Sequence, residues 1–124
     1  MENNLHKTYR KMGSIYENRA ANFLTDNNIK IINRNFRCHY GEVDLIGFDG
    51  SYYIFFEVKY RKTKKSGNPA EAVNIRKQAT ISRVADYYRM MTHLPDSANI
   101  RFDIIAILDD DIEWFKNAFY YIGY

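Results

Sequence analysis

The sequence predicts an α/β fold, a mixed β-sheet of four to five strands flanked by α-helices. Apolar residues recur at helical spacing in two long segments, at about residues 7–27 and 71–91. Strand-like runs lie between and after these segments, in the order helix, three strands, helix, one or two strands. This order favours one mixed sheet with helices packed on it.

The length of 124 residues predicts a single domain over residues 1–124. Hydrophobic residues make up 46% and charged residues 27%, which favours a globular protein over a disordered one, and the net charge of +3 is only mildly basic. The single cysteine, Cys38, excludes an intrachain disulfide, and the three histidines lack zinc-ligand spacing. Because no apolar leader or membrane-length run is present, we expect a cytoplasmic protein with no membrane segment.

The first predicted helix presents one apolar stripe, formed by Tyr16, Ala20, Phe23 and Leu24. The polar run Asp26-Asn27-Asn28 is predicted to end this helix. An isoleucine-rich strand follows from Ile29 to Phe36, and Cys38 to Tyr40 are predicted to connect it to the next strand.

The second helix is predicted from Glu71 to Met91, shortly after Pro69. Its expected inward-facing residues are Val73, Ile81, Val84, Ala85 and Tyr88. An apolar strand at Ile100–Leu108 and a short last strand at Ile112–Phe115 complete the predicted elements.

The run Tyr52–Tyr60 is typical of a central strand, because it is apolar or aromatic on both faces except at Glu57 and Lys59. A separation of two residues places these charges on the same face. Burying such charges is costly unless they are paired or bind a metal. The strand therefore indicates either a site or a solvated strand end, and by itself it leaves both interpretations open.

The preceding strand, Glu42–Phe48, is predicted to bring a second carboxylate to that face. Asp49-Gly50 favours a two-residue hairpin turn. In the resulting register Asp44 lies opposite Phe55 and is the diagonal neighbour of Glu57, about 7–8 Å away between backbones. A slip of one residue would move Asp44 to the other face.

Asp44, Glu57 and Lys59 are the residue types that phosphodiester hydrolysis requires. One or two carboxylates suffice to hold Mg²⁺ or Mn²⁺, since waters and a substrate phosphate complete the coordination. A nearby lysine can orient the attacking water or stabilise the charge that develops on the phosphate.

These residues stand in a longer ordered pattern, which runs through Gly41–Ile46, Phe56–Arg61, Lys77-Gln78 and Arg101-Phe102-Asp103. Asp44 followed by Glu57-Val58-Lys59 is similar to the D…E-x-K core of the PD-(D/E)xK superfamily, and the whole ordered set resembles the bacterial YraN family. The resemblance implies a restriction-endonuclease-like fold and an endonuclease similar to archaeal Holliday-junction resolvases.

The resemblance adds a glutamate from the first helix, because Gly13, Glu17 and Ala21 match the family's Gly…Glu…Ala pattern. By resemblance Glu17 helps to hold the metal, whereas the sequence alone indicates a solvated helix charge. By resemblance Lys77 and Gln78 support the site or the bound strand, and the alternative is an ordinary polar helix face.

A basic segment that follows the metal-binding strand is predicted to contact phosphates through Arg61, Lys62, Lys64 and Lys65. Such contacts would be salt-sensitive, and the alternative is a solvated loop. The sequence departs from the family pattern at Thr80, where a basic residue is expected, which weakens a phosphate contact there. Asp103 is interpreted as a structural partner of Arg101.

The sequence therefore predicts a Mg²⁺- or Mn²⁺-dependent endonuclease that acts on DNA, with branched or structured DNA as the substrate implied by the resemblance. The alternative is a nucleic-acid-binding module with the nuclease fold and little or no turnover. A third reading is an interaction protein that uses its tyrosines and basic loop. The resemblance leaves a homodimer open, and the aromatic residues Trp114, Phe115, Phe119, Tyr120 and Tyr121 form either its surface or part of the core.

Overall fold

The computed structural model describes the backbone of residues 4–61 and 73–123, with side chains from residue 14 onward. The described elements are α1 (Asn4–Asp26), β1 (Lys30–Cys38), β2 (Gly41–Phe48), β3 (Tyr52–Arg61), α2 (Ile75–Met91), β4 (Asn99–Leu108) and β5 (Asp111–Phe119). Neither of these helices combines the length and the apolar character needed to cross a lipid bilayer.

The strands form one mixed sheet in the order β1-β2-β3-β4-β5. β3 and β4 are parallel, whereas the other neighbouring pairs are antiparallel. α2 lies between β3 and β4 in the chain, as expected because adjacent parallel strands need a crossover connection. The predicted α/β fold, with a mixed sheet flanked by helices, is confirmed.

The central strand β3 alternates its side chains between two hydrophobic cores. Phe55 belongs to the core beneath α2, together with Ile81 and Val84 of that helix. Ile54 and Phe56 belong to the opposite core, beneath α1. Successive residues of a strand point to opposite faces, so the two helices cover the two sides of the sheet. The inward residues predicted for both helices are confirmed.

α1 ends where the sequence predicts, and the backbone shows why. Asn28 adopts a left-handed conformation with φ of 66°, and the Ile29 N–H donates to the Leu24 carbonyl at 3.0 Å. These are features of a Schellman motif, in which a left-handed residue ends the helix and an apolar contact closes it. Leu24 and Ile29 are both buried in the same core.

α2 begins later than predicted, at Ile75 instead of Glu71. The cause is Asn74, whose side chain accepts a hydrogen bond of 2.9 Å from a backbone N–H of the first turn and caps the helix. Val73 is buried, as predicted, but precedes the helix. Pro69 and Glu71 lie outside the described residues.

β1 and β5 extend beyond their predicted ends because strand pairing continues there. Cys38, assigned to a connector from the sequence, pairs with Gly41 of β2. β5 continues to Phe119, which pairs with Phe102 of β4. The C-terminal aromatic residues divide between the two roles considered for them: Phe119 is buried and Trp114 and Phe115 pack against the cores, whereas Tyr120 and Tyr121 are exposed.

The structural interpretation of Asp103 is confirmed. Its carboxylate is fully buried and accepts two hydrogen bonds of 2.9 Å from the guanidinium of Arg101. Trp114 Nε1 and the Asn117 backbone N–H each donate to it at 2.8 Å. This network ties β5 to β4.

Candidate functional site

A fork between β2 and β3 creates the candidate site. The pairing of these two strands ends at Leu45 and Phe56. Beyond this pair β2 remains beside β1, whereas β3 remains beside β4. Asp44 and Glu57 are the next residues of the two strands, so both lie where the strands separate.

The hairpin register differs by two residues from the predicted one. Phe48 pairs with Tyr53 instead of Ser51, and the turn is centred on Gly50 and Ser51, with a φ of 99° at Gly50. The prediction of an Asp49-Gly50 turn is wrong because the Asp49 carboxylate accepts hydrogen bonds of 2.8 and 2.6 Å from the next two backbone N–H groups after Gly50. Asp49 is therefore the first residue of the four-residue turn, and its side chain stabilises the turn.

The correction also moves Asp44, which was predicted to lie opposite Phe55. Phe55 pairs with Ile46, so the ladder brings Asp44 level with Glu57. A shift of two residues leaves every side chain on its original face, because strand side chains alternate with a period of two. This alternation is interrupted at Asp44 itself, because its neighbours Val43 and Leu45 belong to opposite cores. The two carboxylates nevertheless lie close enough for the charge of Asp44 to raise the pKa of Glu57.

The Asp44 side chain bonds to the backbone of β3 at the point where the backbone pairing of β2 and β3 has ended. Its Oδ2 accepts a hydrogen bond of 2.8 Å from the backbone N–H of Val58, which fixes the carboxylate between the strands. Burial raises the pKa of Asp44, while the Val58 hydrogen bond and the positive charges of Lys77 and Lys59 oppose this rise.

Glu57 is the carboxylate of the site whose negative charge is least favoured by its surroundings. The residue is only 7% exposed, and its Oε2 is the one buried side-chain oxygen without a hydrogen-bond partner in the described part of the chain. Burial and the nearby Asp44 carboxylate raise the pKa of Glu57 to about 7, against the influence of Lys77 and Lys59. Its ion pair with Lys59 is weak, since Lys59 Nζ stands 3.9 Å from Oε1.

Glu17 approaches the same fork from α1. Its Oε1 accepts a hydrogen bond of 2.9 Å from Asn35 Nδ2. Burial and then the Asp44 carboxylate raise the pKa of Glu17, while Arg34 and the Asn35 hydrogen bond lower it. The reading of Glu17 as a solvated helix charge is therefore wrong, since its side chain is partly buried and interacts with Asp44.

Glu17 and Asp44 line a common cleft of about 490 Å³. One wall is formed by Tyr16 and Tyr60, whose rings stack with centroids 4.3 Å apart and planes 13° apart. This stack connects α1 directly to β3, the strand that carries Glu57 and Lys59. It therefore helps to fix the position of Glu17 relative to the fork.

The donor set of the fork fits a hard divalent cation. Within the described ranges, no three His, Cys, Asp or Glu side chains already converge around one point. Mg²⁺, however, is commonly held by only one or two carboxylates together with waters and phosphate oxygens. The buried Glu57 oxygen without a donor, beside the second carboxylate of Asp44, is an arrangement that a cation would stabilise.

Comparison with known proteins identifies the family. The model of the uncharacterised protein family UPF0102 matches residues 16–107. The chain belongs to the UPF0102 family. It is 41% identical over 107 residues to a UPF0102 protein of Lachnoclostridium phytofermentans, covering 86% of this chain and 91% of that relative. It is also 41% identical over 107 residues to one of Shewanella loihica, covering 86% and 92%, and 40% identical over 108 residues to one of Fusobacterium nucleatum, covering 87% and 90%.

Membership of UPF0102 confirms the resemblance to YraN at the level of the family. The matched residues 16–107 include all four predicted site residues, Glu17, Asp44, Glu57 and Lys59. Nothing in the family description names an activity, so the nuclease relationship and the roles of these residues stay predictions.

The predicted nucleic-acid contacts of this UPF0102 protein fall into four groups. Lys77 lies beside the acidic cluster, where its charge lowers the pKa values of Asp44 and Glu57. Gln78 donates from Nε2 to the Val73 carbonyl at 2.7 Å, so its amide nitrogen holds the chain before α2. Arg61 ends β3 beside the fork. Lys62, Lys64 and Lys65 lie outside the described residues.

Sequence reasoning missed Asn35 and the stacked pair of Tyr16 and Tyr60. Asn35 has a φ of 52° within β1, and its side chain reaches Glu17. An asparagine in a strand-like run is a weak signal for such a left-handed residue. Tyr60 follows Lys59 directly, so its alternation to the other face of β3 could have indicated a contact with α1.

Proposed function

We propose that this protein is a Mg²⁺- or Mn²⁺-dependent nuclease that hydrolyses phosphodiester bonds in DNA. The observation that carries the proposal is the pairing of a buried carboxylate, Glu57, with a partly buried one, Asp44, at the strand fork, where one Glu57 oxygen has no hydrogen-bond donor among the described residues. Two lysines, Lys59 and Lys77, face the same carboxylates. Carboxylates with a lysine beside an open cleft suit metal-assisted hydrolysis of a phosphodiester.

In this proposal Asp44 and Glu57 would hold the cation, and Glu17 would support it directly or through a water. A bound cation of this kind neutralises charge on the phosphate and makes water more acidic. Asp44 is held in place by the Val58 N–H, and Glu17 by the Asn35 amide, so neither has to reorganise greatly.

Lys59 is proposed to orient the attacking water or to donate a hydrogen bond to the phosphate. About a third of its side chain is exposed, 34%, and Nζ stands 3.9 Å from Glu57 Oε1, too far for a good hydrogen bond. The ammonium group therefore keeps donors available for a ligand. Lys77 adds a second positive charge on the α2 side of the fork.

DNA as substrate, and branched DNA in particular, extends the proposal by family resemblance. Arg61 and the following lysines, which are outside the described residues, would supply salt-sensitive phosphate contacts. Cutting a symmetric junction needs two sites, so the proposal includes a homodimer when the substrate is a four-way junction.

The test is cleavage of end-labelled linear, flapped and four-way-junction DNA with Mg²⁺, Mn²⁺ or EDTA. Wild-type protein is expected to cut only with metal, and Glu57→Gln and Lys59→Ala should each lose at least about 100-fold in rate, the usual cost of removing a charge-stabilising group. Asp26→Asn, at the end of α1, and Lys30→Ala, at the start of β1, alter exposed residues away from the fork and serve as matched controls. Light scattering on the same samples reports the oligomeric state.

Either of two results would overturn the proposal. Cleavage that survives Glu57→Gln would place the chemistry elsewhere or in a contaminant. Metal-independent binding without cleavage of any substrate would replace the nuclease with the nucleic-acid-binding module predicted as the alternative.

A further inference from the structure

We call the cleft that Glu17 and Asp44 line the acidic cleft. A second surface, separate from it, gathers aromatic rings and a guanidinium at the tip of the β1–β2 hairpin. We call His39, Tyr40, Arg83 and Tyr87 the aromatic patch. The His39 and Tyr40 ring centroids are 3.9 Å apart, and Tyr87 lies 6.0 Å from His39 and 6.5 Å from Tyr40. The Arg83 guanidinium lies 5.9 Å from the Tyr40 ring centroid.

The patch is open to solvent. Tyr40 is 45% exposed, and His39 and Arg83 are also exposed. The four residues border a shallow depression of about 540 Å³ together with Asp86 and Met90. Single exposed aromatic residues are common on proteins, but three clustered rings with an arginine are a concentrated binding surface.

The patch and the acidic cleft are linked by rigid elements. Tyr40 precedes β2 and lies four residues from Asp44, which is about 13 Å along a strand. On α2, Lys77 and Arg83 are six residues apart, about 9 Å along the helix axis. α2 packs tightly on the hairpin, since a Cβ added at Gly41 would come within 2.6 Å of Thr80 Cγ2.

We propose that the aromatic patch stacks on unpaired nucleobases of the strand whose phosphate lies in the acidic cleft. The inference rests on the proposed function for its direction and adds a substrate class to it, namely DNA with single-stranded bases near the cut. A spacing of about 13 Å corresponds to roughly four nucleotides at the 3.4 Å rise of a duplex strand, and to fewer nucleotides when the single strand is extended.

The chemistry of the patch favours nucleobases over a protein partner. Histidine, tyrosine and arginine planes are the groups on which proteins stack unpaired bases, and stacking is tolerant of sequence. Asp86, an acid at the border of the depression, accepts a hydrogen bond of 2.7 Å from the Tyr121 hydroxyl and is thereby held toward the C-terminal segment.

The test measures binding alone, by fluorescence anisotropy in EDTA, for a labelled single strand and a blunt duplex of equal length. Tyr40→Leu is expected to weaken single-strand binding roughly tenfold, within the range for loss of one stacked base, and to change duplex binding by less than about twofold. Tyr40→Phe keeps the ring and should bind like wild type. Tyr120→Leu removes a tyrosine that is 78% exposed elsewhere and serves as the matched control.

Photocrosslinking gives a second readout that does not depend on a variant. A single strand containing 5-iododeoxyuridine should crosslink to the peptide that carries His39 and Tyr40, whereas crosslinks confined to other peptides would overturn the proposal. It is equally overturned if wild type binds no single strand, or if Tyr40→Leu binds it as tightly as wild type.

A protein partner is an explicit outcome. If Tyr40→Leu lowers the molar mass measured by light scattering, the patch is an interface between copies of this chain, and stacking is overturned. Because binding is measured in EDTA, a failure of the proposed cleavage would leave this result standing. Conversely, the wild type could cleave DNA with metal while Tyr40→Leu binds the single strand as tightly as the wild type. That result would overturn the stacking proposal and leave the proposed nuclease function standing.

Discussion

Asp103 and Glu57 lie on the neighbouring strands β4 and β3, and both carboxylates are buried. Asp103 accepts four hydrogen bonds, from Arg101, Trp114 and Asn117, at 2.8 to 2.9 Å. Glu57 has Lys59 at 3.9 Å, and its Oε2 has no donor in the part of the chain that the structure describes. The two residues point to opposite faces of the sheet, toward α1 and α2 respectively.

The difference distinguishes a structural acid from one that is suited to hold a ligand. A buried charge costs several kcal/mol unless hydrogen bonds or an opposite charge compensate it. Around Asp103 the chain itself supplies the compensation. Around Glu57 it supplies too little, and a second carboxylate, Asp44, adds repulsion. The two acids should therefore respond in opposite ways to neutralisation.

The largest expected effect is at the structural acid. Asp103→Asn should lower the free energy of unfolding by about 3 kcal/mol, because it removes the nearer carboxylate of Arg101 and leaves this side chain only the weaker ion pair with Asp49 at 3.7 Å. Urea denaturation at pH 7.5 measures this, with Asp110→Asn, at an exposed turn residue, as the control. A loss below about 1 kcal/mol would mean that the network does not hold β5 to β4.

Neutralising Glu57 should raise the free energy of unfolding at neutral pH, whereas neutralising Asp103 lowers it. The pKa of Glu57 rises from 4.5 to about 7 on folding, so the folded state binds the proton more tightly than the unfolded state. The stability of the metal-free protein should therefore fall as pH rises from about 4.5 to 7, by an amount on the order of 3 kcal/mol from this group. Glu57→Gln should remove this part of the slope and be more stable than wild type at pH 7.5.

Urea denaturation in EDTA at several pH values tests this prediction. Glu113→Gln, which alters an exposed acid of β5, should keep the wild-type slope. A Glu57→Gln protein that is less stable than wild type at pH 7.5 would mean that the chain already compensates this carboxylate, and the contrast with Asp103 would disappear.

Metal should supply the compensation that Glu57 lacks. At a concentration 100-fold above its dissociation constant, Mn²⁺ should raise the stability of the wild type by about 2.7 kcal/mol. Glu57→Gln should gain much less over the same titration, although it starts from a more stable state. Thermal melts with increasing Mn²⁺ measure both, and an equal gain in the two proteins would locate metal binding outside the fork.

The sequence allowed the proximity of Asp44 and Glu57 to be predicted even though the hairpin register was wrong. The period of two along a strand is robust to an error of two residues, and the apolar alternation of β3 is strong. The turn itself could not be placed, because Asp-Gly and Gly-Ser both suit two-residue hairpins and only the Asp49 side-chain hydrogen bonds decide between them.

The inward position of Glu17 could not be derived from helical periodicity alone. It depends on contacts between α1 and β1 that are distant in sequence, in particular the hydrogen bond from Asn35. Asn35 reaches Glu17 from a left-handed backbone conformation inside a strand, which no propensity scale would favour. Family resemblance supplied Glu17 where local physical reasoning favoured a solvated charge.

The smallest expected effect tests that contact. Asn35→Gly keeps a residue that tolerates a φ of 52° but removes the amide that donates to Glu17. We expect the free energy of unfolding to change by about 1 kcal/mol or less, the usual net value of one hydrogen bond. Asn35→Ala removes the same hydrogen bond and should cost roughly 1 kcal/mol more, because alanine is strained in this conformation.

If Glu17 supports the cation, both variants should weaken the Mn²⁺ stabilisation equally, since each frees Glu17 in the same way. Weakening by Asn35→Ala alone would instead assign the effect to the β1 backbone and leave Glu17 without a part in metal binding.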